Sequence, residues 1–159
     1  MAAYDPKTSD LRNGVPYLMA RVRTTLFNAV DAELQRFELR ALDYLVLAGL
    51  ANAMGDTASA ICTFISHDPG AMTRKIDALE EKSLVRRVRS VEDRRAIKLE
   101  LTPEGKAVYS KALIVVVGVI NRFLDGFTKA EVRGLESMLK RMLENADAFE
   151  EATEKEAKR

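Results

Sequence analysis

Apolar residues recur at helical spacing along most of the chain, and this pattern predicts a mainly helical protein. A long first helix is expected over residues 11–37, followed by a nearly all-apolar core helix over 40–53. Two further long helices are expected, one after Thr102 and one after Thr128, where Glu131 completes a capping box. The last ten residues are polar on every side, so we expect them to fray.

The middle of the chain predicts two short helices separated by a tight turn. Thr57 can cap the first of these helices, and Asp68 can cap the second with Pro69 in the first helical position. Each helix has one apolar side: Ile61, Cys62 and Ile65 on the first, Met72, Ile76 and Leu79 on the second. This arrangement is typical of a helix–turn–helix.

A β-hairpin is expected directly after the helix–turn–helix. Its strands cover about 84–90 and 96–101, and in the second strand Ile97, Leu99 and Leu101 should share one face. A single hairpin cannot form a core, so we expect that apolar face to lie against the helices. The fold class is therefore mainly α with a small β-hairpin wing, a winged helix–turn–helix joined to further helices.

Charge is unevenly distributed, although the net charge is only +1. Residues 84–98 contain six basic and two acidic side chains, the basic ones being Arg86, Arg87, Arg89, Arg94, Arg95 and Lys98. A charged hairpin can simply be a solvated edge protected against aggregation. Its position after a helix–turn–helix instead favours DNA binding, with a helix in the major groove and arginines at the hairpin tip in a minor groove.

Other classes of protein find little support. The single cysteine, Cys62, excludes an internal disulfide and fits a reducing compartment. The N-terminus lacks the features of a signal peptide, and the apolar run 112–120 is about half of the ~20 residues that span a membrane, so it is expected to be a buried helix segment. We therefore expect a cytoplasmic protein without a membrane partner. No catalytic motif, cofactor loop or set of metal ligands is present, so we expect neither an enzyme nor a bound cofactor.

The hairpin motif and its surroundings resemble those of the MarR family of bacterial transcriptional regulators over about residues 11–149. The motif is Asp93-Arg94-Arg95, five residues, and then Leu101-Thr102. The segments DPGAMTR, from Asp68, and LEEKSLVRR, from Leu79, are similar to the family's recognition helix and its run into the wing.

The resemblance implies a homodimer that binds a pseudo-palindromic operator in double-stranded DNA, usually as a repressor. It implies one MarR-like domain over 1–159, with dimerisation helices at about 11–37 and 103–149 and the winged helix–turn–helix at about 40–102. The residues agree on dimerisation, since these helices carry more apolar surface than a small domain can bury. Many members release DNA when a small phenolic or aromatic acid binds, and others respond to cysteine oxidation.

Roles in DNA binding follow from the resemblance. Thr73 and Arg74 are candidates for contacts with base edges, Lys75 for a phosphate, and Ala71, after Gly70, for a thymine methyl group. Either Arg94 or Arg95 should enter the minor groove, and the choice stays open. Asp93 should orient one of these arginines. The phosphate candidates on the first strand are Arg86, Arg87 and Arg89.

The candidates for an aromatic acid effector are Tyr17, Arg21, Tyr44, Tyr109 and His67. The ordinary structural roles are favoured over ligand contacts: core residues with satisfied hydroxyls for the tyrosines, a solvated or intersubunit charge for Arg21, and a turn or capping residue for His67. Cys62 gives an alternative, a redox-responsive repressor, but its inward position favours a structural role. A winged-helix module that binds protein rather than DNA is a further alternative. Six residues depart from the family pattern: Gly70 and Ala71 where hydroxyl residues are common, Lys75 where apolar residues are common, Ser83 and Glu38 in place of glycine, and Arg40 in place of threonine.

Overall fold

The computed structural model describes residues 4–5, 7, 9–10, 12–66, 68–89 and 97–157. The chain divides into two compact units, Met1–Ile120 and Asn121–Arg159. The domain boundaries expected from the sequence stay a prediction, and the two units are described in turn.

The first unit begins with two helices whose apolar sides face a common core. Helix α1 covers Val15–Leu34, a 3₁₀ turn covers Gln35–Phe37, and helix α2 covers Ala41–Ala51. The expected first helix is thus confirmed, but its last turn tightens to 3₁₀ geometry. Glu38 follows in the left-handed conformation, with φ 54°, where the family pattern has glycine. Because the chain turns here, α2 begins three residues later.

The helix–turn–helix is confirmed, including both expected caps. Helix α3 covers Ala58–Ile65, and the Thr57 side chain accepts a hydrogen bond from the Ala60 N–H at 3.2 Å. Helix α4 covers Pro69–Glu81, and the Asp68 carboxylate accepts one from the Ala71 N–H at 2.9 Å. These side chains satisfy backbone donors that a helix start leaves without partners.

The wing is a two-stranded antiparallel hairpin of β1, Val85–Arg89, and β2, Ile97–Leu101, in which Val85 pairs with Leu101. Leu99 and Leu101 are buried as expected, and the Leu99 N–H donates to the Asp56 carbonyl at 2.7 Å, which ties β2 to the start of the α3 segment. Ile97 is 55% exposed, so the expectation that it packs with them is wrong. It is the first residue of β2, four residues before Leu101, where the strand leads into α5.

Helix α5, Pro103–Phe123, begins at the base of the wing and contains the apolar run 112–120. The expectation that this run is wholly buried is wrong, because only one side of the helix packs inward. Ala112, Val116 and Val119 are buried, whereas Leu113, Ile114, Val117 and Ile120 are exposed. In the part of the chain that the structure describes, one apolar side of this helix is therefore exposed.

The second unit contains helix α6, Lys129–Ala157, which opens with the expected capping box. The Thr128 N–H donates to the Glu131 carboxylate at 2.8 Å, and the Glu131 N–H donates to the Thr128 hydroxyl at 3.2 Å. The expectation that the last ten residues fray is wrong as far as Ala157, which is helical. Helix α6 carries exposed large apolar residues, namely Leu135, Met138, Met142, Leu143 and Phe149.

Candidate nucleic-acid interface and effector cleft

The candidate DNA-reading side chains lie on the outward side of α4. Gly70, Thr73 and Arg74 are all exposed, whereas Met72 and Ile76 on the opposite side are buried in the core. Ala71 is half-buried, which leaves its methyl group less accessible. The Thr73 hydroxyl donates to the Pro69 carbonyl at 3.2 Å, one turn earlier on the helix. The helix thus presents a short exposed stripe near its N-terminus, with Arg74 as the long side chain.

Lys75 does not lie on this exposed stripe. Its ammonium group is 3.0 Å from Oδ1 of Asp43, near the start of α2, and its side chain is 24% exposed. The other oxygen of Asp43 accepts a hydrogen bond from the Arg40 N–H at 2.8 Å. This placement favours an ion pair between α2 and α4 over the phosphate contact that we expected for Lys75.

Arg87 also turns toward α4 rather than toward solvent. Its guanidinium donates to Asp77 at 2.6 Å and to Glu80, and its backbone N–H donates to Glu80 at 3.0 Å. The hydrogen bond to Asp77, and further attraction by both carboxylates, raises the pKa of Arg87. Arg87 therefore joins β1 to α4, and its positive charge is offset, which weakens its case as a phosphate contact.

The remaining basic residues of the described wing lie in different surroundings. Arg86 pairs with Glu100 across the hairpin, with Nη2 and Oε2 2.6 Å apart, and its side chain is 60% exposed. Lys98 pairs with Asp56 at 2.9 Å. Arg89 is exposed at the end of β1. Of the three first-strand arginines, Arg89 is thus the best placed to meet a phosphate.

Four candidates lie outside the described residues: His67, Asp93, Arg94 and Arg95. Their roles stay predictions from the sequence.

Two effector candidates are brought together, Tyr44 on α2 and Tyr109 on α5. Their rings stack with centroids 5.8 Å apart, and Asn52 donates to the Tyr109 hydroxyl at 3.1 Å. Burial, and secondarily the neighbouring Tyr109, raises the pKa of Tyr44. Tyr17 and Arg21 lie together on an exposed part of α1, with the guanidinium 5.8 Å from the ring centroid.

A cleft of about 840 Å³ opens beside Tyr109 and continues along the wing. Its polar lining includes Lys106, Ser110 and the Arg86–Glu100 pair, and its apolar lining includes Leu50 and Leu99. An aromatic ring and a cation on one wall can accept a flat organic anion. Of the sequence-based effector candidates in the described chain, Tyr109 lines the cleft directly and Tyr44 supports it by stacking.

Cys62 is buried in the core of the first unit, as its position beside Ile61 suggested. In the part of the chain that the structure describes, no group of three His, Cys, Asp or Glu side chains is placed to hold a metal ion. No helix among those same residues is long and apolar enough to cross a membrane.

The acidic residues that hold the basic ones were not identified from the sequence. Asp43, Asp77 and Glu80 each bind a cation that we had assigned to DNA. Lys106 was also missed, although it lines the cleft. For Asp77 and Glu80 a signal was present, because their spacing of three places both on one side of α4. The partner of Asp43 depends on how α2 packs on α4, which local spacing does not reveal.

Comparisons with known proteins agree with this architecture. The model of the MarR family matches residues 39–97. The HTH-type transcriptional repressor MdtR of Bacillus subtilis is 26% identical over 132 residues, which are 83% of each chain.

Two solved structures resemble the chain over most of its length. CouR from Rhodococcus jostii RHA1, bound to p-coumaroyl-CoA, has a TM-score of 0.77 and 26% identity, covering 85% of this chain and 95% of that one. A mutant of MarR from E. coli complexed with operator DNA has a TM-score of 0.74 and 28% identity, covering 85% and 99%. The chain therefore resembles the transcriptional regulators of the MarR family in sequence and in fold, and the family model matches the part that runs from the start of α2 into the wing.

Proposed function

We propose that the protein is a homodimeric repressor that binds a pseudo-palindromic operator through α4 and the wing, and that a small aromatic acid releases it. The observation that carries this proposal is the exposed stripe of Gly70, Thr73 and Arg74 on a helix whose other sides are held by the core, by α2 and by the wing. A helix held in this way can enter a major groove with little loss of conformational freedom. The MarR complex with operator DNA supports the assignment.

Arg74 is the proposed base-reading residue, and its removal tests the interface. Fluorescence anisotropy with the protein's own promoter region should show that Arg74→Ala weakens binding by roughly 1–3 kcal/mol per half-site, the value of a bidentate contact to guanine. Arg141→Ala removes the same charge from an exposed position on α6 and should leave the affinity unchanged. Equal affinities for wild type and Arg74→Ala at the same salt concentration would remove Arg74 from the interface.

Dimerisation is supported by the apolar surface that each unit leaves exposed. Helices α1 and α5 of the first unit and α6 of the second carry exposed large apolar residues, including Val22, Ile114, Val117, Met138 and Leu143. Surfaces of this kind are rarely left open to water. Light scattering coupled to size-exclusion chromatography should show a dimer. Replacing Ile114, 75% exposed, and Leu143 by glutamate should yield monomers with unchanged helix content. A monomeric wild-type protein would refute the proposed dimer.

The effector is proposed to bind in the cleft beside Tyr109. The ring can stack on an aromatic ligand, and Lys106 can pair with a carboxylate. CouR, which has a similar fold, is bound to p-coumaroyl-CoA in its solved structure, which supports an aromatic group as part of the ligand. Adding p-coumarate, benzoate or salicylate to the DNA complex should lower its anisotropy, and Lys106→Gln should raise the concentration that is needed. If none of these acids releases DNA, the effector proposal fails while operator binding stands.

A redox-responsive repressor is a weaker proposal, because Cys62 lies in the core. No feature of the described wing favours a protein partner over DNA.

A further inference from the structure

We infer that Lys75 is a positioning residue, which sets the orientation of α4 through Asp43 and does not contact DNA. This inference rests on the proposed function, since it concerns the helix that reads the operator. It assigns the Lys75–Asp43 pair a role in discriminating the operator from other DNA.

The pair is built into the junction between α2 and α4. Asp43 is only 6% exposed, and both of its oxygens are occupied, one by Lys75 at 3.0 Å and one by the Arg40 N–H at 2.8 Å. A buried carboxylate is costly unless a cation and hydrogen bonds compensate it. Arg40 does not supply that cation, because its guanidinium points to Asp31, 3.9 Å away, and its side chain is 77% exposed. Lys75 therefore supplies the cation that compensates the buried Asp43 carboxylate.

A second lysine, Lys82, directly follows α4 and reaches the same junction. Lys82 donates from its ammonium group to the carbonyl of Glu38, the residue that turns the chain between α1 and α2. Seven residues, or about two helical turns and 10.5 Å, separate Lys82 from Lys75, so both lie on one side of α4. A crevice of about 190 Å³ lies between these contacts. Two attachment points so far apart resist both rotation and sliding of the helix.

The orientation of α4 determines where Arg74 points. Arg74 is the residue directly before Lys75, and its long exposed side chain magnifies any rotation of the helix. A contact to base edges tolerates little displacement, whereas attraction to phosphates is less sensitive to geometry. Loss of the Lys75–Asp43 pair should therefore reduce affinity for the operator and leave affinity for random DNA nearly unchanged.

The test compares Lys75→Met and Asp43→Asn in the full-length protein. Binding to the operator and to a random duplex is measured at several salt concentrations. We expect each variant to lose about tenfold in operator affinity, equivalent to ~1.4 kcal/mol. The affinity for random DNA and the salt dependence should not change. The double variant should be no weaker than either single one, because the two residues act as one pair.

A phosphate contact at Lys75 would give a different result. Lys75→Met would then weaken binding to both DNAs and reduce the slope of log affinity against log salt by about 0.9 for each phosphate that the lysine neutralises. Asp43→Asn removes a negative charge, so under that model it would leave binding unchanged or strengthen it. The inference would be overturned if Lys75→Met weakened binding to both DNAs with a reduced salt slope, or if Asp43→Asn left operator binding unchanged or strengthened it. Unchanged operator affinity in both variants would overturn it as well.

Hydrogen exchange of the free protein supplies a readout that does not depend on DNA. Backbone amides of α4 should exchange faster in Lys75→Met and in Asp43→Asn, and Lys75→Arg, which keeps the charge, should restore part of the protection. If the wild type binds no operator, the proposed function fails, and the exchange data still decide whether the pair holds α4. Unchanged exchange in both variants would refute the positioning role. Should Lys75→Met not fold, Asp43→Asn, which keeps the hydrogen bond from Arg40, carries the test alone.

Discussion

Gly105, in the first turn of α5, lies where the helix approaches the base of the wing most closely. A Cβ atom at this position would be 1.9 Å from the carbonyl oxygen of Leu84, far inside van der Waals contact. That carbonyl accepts a hydrogen bond from the Thr102 N–H at 3.1 Å, so it cannot move without disturbing the start of α5. We predict that Gly105→Ala pushes the wing and α5 apart and strongly destabilises the fold.

The change in the free energy of unfolding follows from two opposing effects. Overpacking of a core usually costs about 1–3 kcal/mol, and we take the upper end because the obstructing atom belongs to the backbone. Alanine in a helix gains roughly 0.5–1 kcal/mol over glycine. The matched control is Gly118→Ala in the same helix, because a Cβ at Gly118 meets no atom within 4 Å. We expect Gly105→Ala to lose about 2 kcal/mol and the control to gain up to about 1 kcal/mol.

Urea denaturation followed by circular dichroism measures both variants. Protein concentration must be equal in all samples, since the stability of the proposed dimer would depend on it. With a slope of about 2 kcal/mol per molar urea, the midpoint of Gly105→Ala should fall by about 1 M. Equal midpoints for the two variants would refute the reasoning, because they would mean that the approach to Leu84 carries no cost.

Two further predictions concern ionisable groups. Because burial raises the pKa of Tyr44, the fold favours the neutral phenol, so the contribution of Tyr44 to stability should be constant below about pH 10 and be lost as the pH rises through the folded-state pKa. Tyr44→Phe should reduce that alkaline loss in urea melts, and an identical pH profile would contradict the assignment. Arg87→Met leaves Asp77 and Glu80 without their shared cation and should cost about 1–2 kcal/mol in the same assay. Arg86→Met, which breaks one exposed pair with Glu100, should cost at most about 1 kcal/mol, and an equal loss in both would argue against a special role for Arg87.

Most of the fold could be predicted because its signals are local. Helical spacing located the helices, and the caps at Thr57, Asp68 and Thr128 are hydrogen bonds between residues three apart. Alternation located the second strand. The errors arose where burial depends on distant parts of the chain. Ile97 follows the alternation, but as the first residue of β2 it is more than half exposed.

The site was predicted less well than the fold, for a physical reason. A basic residue on a DNA-facing element and a basic residue in an ion pair have the same sequence signal. Lys75 and Arg87 satisfied the expected pattern, yet both bind carboxylates that the tertiary structure brings near them. Arg74 and Arg89 remain exposed as expected, because their side chains leave the elements on the solvent side.

Four non-glycine residues in the described chain have a positive φ: Glu38, which follows the 3₁₀ turn, and Ala53, Ser66 and Ser83. All four lie at helix ends between α1 and the wing, and a side chain in this conformation costs about 1 kcal/mol or more relative to glycine. The loops between these helices therefore contain positions at which a glycine would raise the free energy of unfolding. Glu38→Gly or Ser83→Gly would give a protein of higher thermal stability for use in a biosensor. The proposed operator-reading stripe would be unchanged.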